Sequence, residues 1–497
     1  MRIVTPLYRQ GVTQVAAPKR VIGKQRNLDR NMNVSLIYAG IAGKGFDSIG
    51  QGMDSGWISH GLAILSAVTK EKGFDVDLID LRALKSWDHF REELLKRRPR
   101  VCGLTMMSVD FNPVMESVKV IKEVDPSIVV VVGGPHPTIA PHEVLENPSV
   151  DYLVIKEGEI SFPKLLTAIE QGELPEQRVI VGEMPDLDSL PYSDHDLFLN
   201  EWRKWGYQNA SPEASFTDLL PPPFITVIAG RGCIYNCAFC KPAEDYIFGK
   251  KVRRRSVEHV MGELRVFRDK FGFKSFMFHD DCLIEDREWV TNFCHAYMRE
   301  GFTQPFFCQG RADIIVKHED MVALMVKAGL KGYFIGFESG NDRVLKFIRK
   351  GTTRAINIEA ARISRKHGLS VWANYMLGLP TETKEEIMDT ISMLKEIDPD
   401  YYSPAFYTPH PGSDLYDYCE EHGLSLITTH DSYSRNPNEL KIKGHDHEFL
   451  QWALQESMRR KPINALNRKA KYYWGRYARP RKVIRKLGRI VGLVPSQ

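Results

Sequence analysis

The sequence predicts an α/β chain in which a doubly wound parallel sheet precedes a partial (β/α)6 barrel and a basic helical tail. Short apolar strands alternate with amphipathic helices from Asn33 to Gln171, and six more strand–helix repeats run from Phe224 to Glu421. Three cysteines, Cys233, Cys237 and Cys240, stand in a C-x3-C-x2-C loop directly after the first strand of the second series. At 497 residues the chain is too long for one ordinary core. These patterns divide it into a basic leader (1–32), the doubly wound domain (33–172), a linker (173–223), the barrel (224–424) and an extension (425–497).

In the first series, strands are expected at Asn33 to Ala39, Phe74 to Asp80, Val101 to Met107, Ser127 to Val132 and Asp151 to Ile155. Helical patterns fill Ser55 to Lys72, Trp87 to Lys96, Pro113 to Glu123 and Ile160 to Gln171. Ligands of doubly wound sheets bind at the carboxyl ends of the strands, here Gly40 to Gly45, Ser108 and the turn Gly133-Gly134-Pro135-His136-Pro137-Thr138. The linker is rich in proline and carries one short helix near Asp196 to Lys204.

In the second series, the strands are Phe224 to Ala229, Ser275 to His279, Pro305 to Gln309, Gly332 to Phe337, Ser370 to Met376 and Tyr401 to Tyr407. Barrel chemistry sits at carboxyl strand ends, and polar groups collect there: the cysteine loop, His279-Asp280-Asp281, Arg311 with Asp313, Glu338-Ser339, Gly378-Leu379-Pro380 and His410. Arg311 and Asp313 equally suit an ion pair bracing the rim, and one of Asp280 and Asp281 suits the cap of the next helix.

Composition bounds the chemistry. Hydrophobic content of 43% and charged content of 26% are those of a soluble globular protein, and a net charge of +4 is too small to argue for nucleic acid. Eight cysteines, five of them scattered (Cys102, Cys282, Cys294, Cys308, Cys419), form no disulfide framework and fit a reducing cytoplasm. Cys308, at a strand end, is the first candidate among them for a catalytic thiol. No secretory signal and no apolar run of about 18 residues is found. Residues 468–489 hold ten Lys or Arg, no acid and several aromatics, a pattern suited to peripheral contact with the inner face of an anionic membrane or to a solvated helix.

Three thiolates in one short loop can hold a soft metal centre, whereas closed zinc sites want a fourth ligand that this loop lacks. A 4Fe-4S cluster bound by three cysteines keeps one iron for a substrate or cofactor. The spacing, with Phe239 before the last cysteine, resembles that of the radical S-adenosylmethionine (SAM) enzymes. The resemblance implies that Cys233, Cys237 and Cys240 ligate a 4Fe-4S cluster whose open iron chelates SAM and which cleaves it to a 5'-deoxyadenosyl radical. It further implies that Glu338, Arg311, Asp280, Gly378 and Phe239 surround SAM, although His279-Asp280-Asp281 stands where many members have Gly-Gly-Glu. A doubly wound domain ahead of this core resembles the cobalamin-binding class of that family, whose flavodoxin-like domain holds the corrin. On that resemblance Ser108, Gly133, Gly134 and His136 are cofactor-binding, and Lys156-Glu157-Gly158-Glu159 is a second characteristic turn. The cobalt-ligating D-x-H-x-x-G string of many cobalamin domains is absent.

The expected activity is cobalamin-dependent methylation of an unactivated carbon in a small-molecule or lipid substrate, tetrapyrroles included. An electron donor such as flavodoxin or ferredoxin would serve it. A radical cyclisation or rearrangement on the same architecture is the second reading, and a non-catalytic iron–sulfur protein the third. The sequence names no catalytic residue.

Overall fold

The computed structural model describes residues 32–42, 45–49, 57–207, 219–434, 437 and 439–459. Leader residues 1–31, part of the glycine loop after the first strand (43, 44 and 50–52) and the basic run 468–489 lie outside the described residues.

The first sheet contains β1 (Asn33–Tyr38), β2 (Asp75–Asp80), β3 (Val101–Thr105), β4 (Val129–Gly133), β5 (Tyr152–Ile155) and β6 (Val179–Val181). Its order is β2-β1-β3-β4-β5-β6, with every pair parallel. The first five strands therefore follow the doubly wound order whose chain reversal lies between β1 and β3. Buried valines of β3 and β4 face helices on both sides, in two separate apolar clusters, as a parallel sheet covered on both faces requires. Helix His60–Glu71 starts later than the apolar pattern suggests because the Ser59 side chain accepts from the Leu62 amide and caps it.

The segment 173–223 is more than a linker. Its Val179–Val181 adds β6 to the first sheet, and helix Asp196–Lys204 packs Trp202 against that domain, the indole donating to Asp80 at 2.9 Å. A strand of three residues is too short for periodicity to reveal. The Ser193 amide meanwhile donates to Glu263 of the barrel at 2.9 Å, so the described part of the segment packs against both units.

The second sheet is built from β7 (Phe224–Val227), β10 (Ser275–Phe278), β11 (Phe306–Gly310), β12 (Leu330–Glu338), β13 (Ser370–Leu377) and β14 (Tyr401–Phe406), with β8 (Gly230–Arg231) and β9 (Arg253–Arg254) pairing antiparallel beside the cysteine loop. The six long strands run parallel in sequential order, an open half-barrel. Caps set the helix starts: Asp286, Thr353 and Ser413 each accept from an amide of the first turn, and Thr383 with Glu386 makes a reciprocal capping box.

Alternate residues of these strands separate two environments. Cys308, Tyr333 and Ile335 enter the core between sheet and helices, whereas Phe307, Phe334 and Trp372 pack with Met277 and Leu220 on the opposite, inner face. Leu220 comes from the chain just before β7 and Trp57 from the first domain, so the lower inner face is filled with apolar side chains. Cys308 is thus a core thiol, as are Cys294 and Cys419. Tyr375, also in the core, places its hydroxyl 2.6 Å from Ser457.

Described residues beyond 424 contribute to the barrel's packing. Helix His447–Ser457 contributes Leu450, Ala453 and Leu454 to the same core, and His445 lies 2.9 Å from the Leu379 carbonyl. Among the described residues no helix is long and apolar enough to cross a membrane.

Candidate active site

The cysteine loop is held at its base by Asp280, whose two oxygens accept from the amides of Ala229 (3.0 Å) and Gly230 (2.6 Å). Burial pushes this carboxyl up to about 7 against the pull of those amides and of Arg254. Neither Asp280 nor Asp281 caps the next helix; Asp286 does. Further along, Lys241 folds the loop back on itself, donating to the Cys233 carbonyl at 2.8 Å and pairing with Glu244 and Asp245. The Ala238 amide donates to the Ile348 carbonyl, and the Ala238 and Lys241 carbonyls accept from the amides of Leu415 and Asp414 at 2.9 and 2.8 Å.

All eight cysteines are free, and the three of the loop are electrostatic neighbours, Cys233 acting on Cys237 and Cys237 on Cys240. Burial raises the Cys237 thiol, opposed by two cations, Lys350 and Arg311. Three clustered thiols beside two cations fit an anionic iron–sulfur centre. Cys282 is more than packing: its hydrogen bond pulls the Cys233 thiol below the usual thiol range.

Arg311 reads both ways at once. It pairs with Asp313 at 2.9 Å, as a rim brace would, and it also donates to the Lys350 carbonyl at 2.7 Å, lies 4.0 Å from the Cys237 sulfur and covers the Tyr235 ring at 3.4 Å. Glu338 occupies a bulge in the β12–β13 register with φ of 62°, an uncommon conformation for a residue with a side chain. Its carboxylate meets Lys350 at 2.9 Å. A Cβ on Gly336 would lie 2.4 Å from that carboxylate and 2.8 Å from the Lys350 ammonium, so a side chain there would displace the pair from this arrangement. Phe239 packs in a small apolar cluster with its ring 5.9 Å from Lys350.

The amides of Gly378 and Leu379 donate to the buried Glu382 at 2.9 and 3.0 Å, so what the turn offers a ligand is its shape. Burial raises the Glu382 carboxyl from 4.5 to about 8 despite both amides. Between about pH 4.5 and 8 the folded chain therefore holds a proton that the unfolded chain has lost, and this group makes stability fall as pH rises through that window, then level off. Glu382→Gln keeps an acceptor for both amides and removes the titration. The variant's stability relative to the unsubstituted chain is expected to improve from about pH 5 to about pH 8, measured as denaturant midpoints. A pH-independent difference would refute the assignment.

At the first sheet's carboxyl edge, Gly134 has φ of 108°, and a Cβ there would meet backbone atoms of Met106 at 2.9 and 3.0 Å. The glycine pair lets the turn lie against the end of β3. His136 is wholly buried, with Nδ1 3.1 Å from the Ser108 hydroxyl and Nε2 facing Glu143 at 3.6 Å, so both ring nitrogens face protein. The two units are joined by ions: Glu157 pairs with Arg231 at 2.8 Å and with Arg253, and Glu159 pairs with Arg231 at 2.6 Å. Arg231 is two residues before Cys233, so the Lys156–Glu159 turn grips the chain entering the cysteine loop.

Sequence reasoning missed Lys350, Lys241, Tyr235 and the partners of Glu157. Lys350 stands in Arg349-Lys350-Gly351, which reads as an exposed turn, and only tertiary packing buries it to 7%. The string Lys156-Glu157-Gly158-Glu159 was visible, but its basic partners are distant in sequence.

Residues 53–166 match the B12 binding domain family and residues 227–394 the Radical SAM superfamily. An uncharacterized methyltransferase of Pyrococcus horikoshii is 29% identical over 80% of this chain and 86% of its own length. The anaerobic magnesium-protoporphyrin IX monomethyl ester cyclase of Rubrivivax gelatinosus is 27% identical over 75% of this chain and 68% of its own. The fold is similar to that of the cobalamin-dependent S-adenosylmethionine radical enzyme OxsB, solved with aqua-cobalamin and S-adenosylmethionine bound. That likeness has a TM-score of 0.63 at 18% identity and covers 86% of this chain but 66%, just under two thirds, of OxsB.

Proposed function

With a B12-binding domain and a Radical SAM domain joined in one enzyme chain, we propose that the protein methylates an unactivated carbon of a small-molecule substrate, using a 4Fe-4S cluster, SAM and cobalamin. The observation that carries this reading is the ion-paired union of the two edges: Glu157 and Glu159 of the first domain hold Arg231 at the mouth of the cysteine loop. When bound, the cluster and SAM supply one-electron cleavage of a sulfonium, and the corrinoid supplies a methyl carrier.

The chain's own residues would divide the remaining work. Cys233, Cys237 and Cys240 would hold iron, and Arg311 and Lys350 offset the thiolate charge. Glu338 presents a carboxylate at a strand end, a partner for an ammonium. The apolar filling of the lower inner face, with Phe307, Phe334, Trp372 and Leu220, keeps water from entering the lumen from below. Ser108, Gly133, Gly134 and His136 would shape the corrin edge, with His136 acting through Ser108.

Incubation of anaerobically reconstituted protein with dithionite, SAM and cobalamin is expected to release 5'-deoxyadenosine. An intact cluster without that product would eliminate the proposal. The cyclase relative supports a second reading, radical cyclisation, and product analysis separates the two: methylation yields S-adenosylhomocysteine alongside 5'-deoxyadenosine, and cyclisation does not.

A further inference from the structure

Away from the cysteine loop, two histidines and a carboxylate from three parts of the chain converge. His136 lies in the short helix Pro135–Ile139 after β4, Glu143 in the short helix Pro141–Leu145, and His430 comes from the segment beyond the barrel's last repeat. Their ligand-type atoms all lie within 4.8 Å of one another. One oxygen of Glu143 is 2.8 Å from His430 Nε2 and 3.6 Å from His136 Nε2. Donors about 2.0–2.2 Å from a shared tetrahedral ion stand roughly 3.3 Å apart, so these separations bracket the spacing of ligands around one metal.

A second observation points the same way. His136 is 0% exposed, and its Nε2, aimed at the other two groups, has no hydrogen-bond partner. An orphaned buried ring nitrogen is costly, and a cation would satisfy it. The other nitrogen of that ring lies 3.1 Å from the Ser108 hydroxyl, the outer contact that orients a ligating imidazole. His430 is held flat on Phe111, ring centroids 3.8 Å apart, so its orientation is also set before any ion arrives. Glu143 keeps 31% of its side chain exposed, which leaves a way in.

We propose that His136, Glu143 and His430 bind a divalent transition metal ion, zinc by the donor set, with a water in the remaining position. The ion would tie the C-terminal segment to the turn after β4. Burial acts to raise the Glu143 carboxyl, but the two imidazoles beside it hold it well below the usual range. The nitrogen and oxygen donors and the closed, partly apolar wall suit zinc over magnesium or calcium.

The test uses zinc chloride on two full-length proteins: the holoenzyme, its cysteines occupied by the cluster, and the Cys233→Ala/Cys237→Ala/Cys240→Ala chain, which has no thiol loop to trap zinc. After dialysis against a weak chelator, elemental analysis is expected to find roughly one zinc per chain in both. His430→Ala should weaken retention at least about tenfold in each, and Glu143→Gln likewise, while His142→Ala leaves it unchanged. His430 is partly exposed, and circular dichroism of each variant shows whether it folds. Zinc held by neither protein, zinc held only where the cysteines remain, or retention indifferent to His430→Ala would overturn the proposal.

Discussion

Alanine in place of Cys237 is expected to abolish the iron–sulfur chromophore and lower 5'-deoxyadenosine formation by at least about a hundredfold, because two thiolates cannot hold the cluster in place. Cys233→Ala and Cys240→Ala should behave alike. The physical basis is the arrangement of three free thiols with Arg311 and Lys350 beside Cys237, a cradle with an opposing charge already present. Cys294→Ala serves as the control: that thiol is buried in the core between sheet and helices, and its loss should leave the iron content intact. Iron and sulfide per chain, together with the nucleoside product, give the readout. A Cys237→Ala protein that retains both would place the metal elsewhere.

The second large effect is expected at Lys350. Its ammonium and the Glu338 carboxylate are 9% and 13% exposed and 2.9 Å apart. Burial works against the ammonium, but Glu338 and Cys237 outweigh it, and the net effect raises its pKa. Lys350→Met leaves a carboxylate desolvated and unmatched on a backbone already held at positive φ, which should cost about 3 kcal/mol of stability. Discounting for the partial exposure of Glu338 lowers this toward about 2 kcal/mol. The double variant Lys350→Met/Glu338→Gln removes the stranded charge and is expected to recover at least about half of the loss. Denaturant midpoints of the four corners of this cycle measure the coupling. A single variant as stable as the parent would mean that the pair contributes no net energy.

The parallel strands were legible because they are short apolar runs, several with a side-chain-capped helix behind them. Ser59, Asp286, Thr353, Thr383 and Ser413 mark where the helices begin, and their side chains do what their chemistry suggests. What escaped the sequence was long-range. Val179–Val181 is a strand only because β5 is beside it, and Lys350 is buried by partners distant in sequence, Glu338 and Arg311 among them. Asp280 shows the same limit from the other side: its position at a strand end was evident, but its engagement with the Ala229 and Gly230 amides required the fold. The cysteine triplet was legible because its spacing is local, whereas its cations, Arg311 and Lys350, arrive from other strand ends.

The cysteine loop takes its backbone partners from Asp414 and Leu415, and the barrel core beneath it is completed by helix His447–Ser457. During translation, a nascent polypeptide that has just emerged with its three thiols has neither. Iron delivered before helix His447–Ser457 has been made would therefore meet a half-made receptacle, and maturation of the centre follows synthesis of that helix.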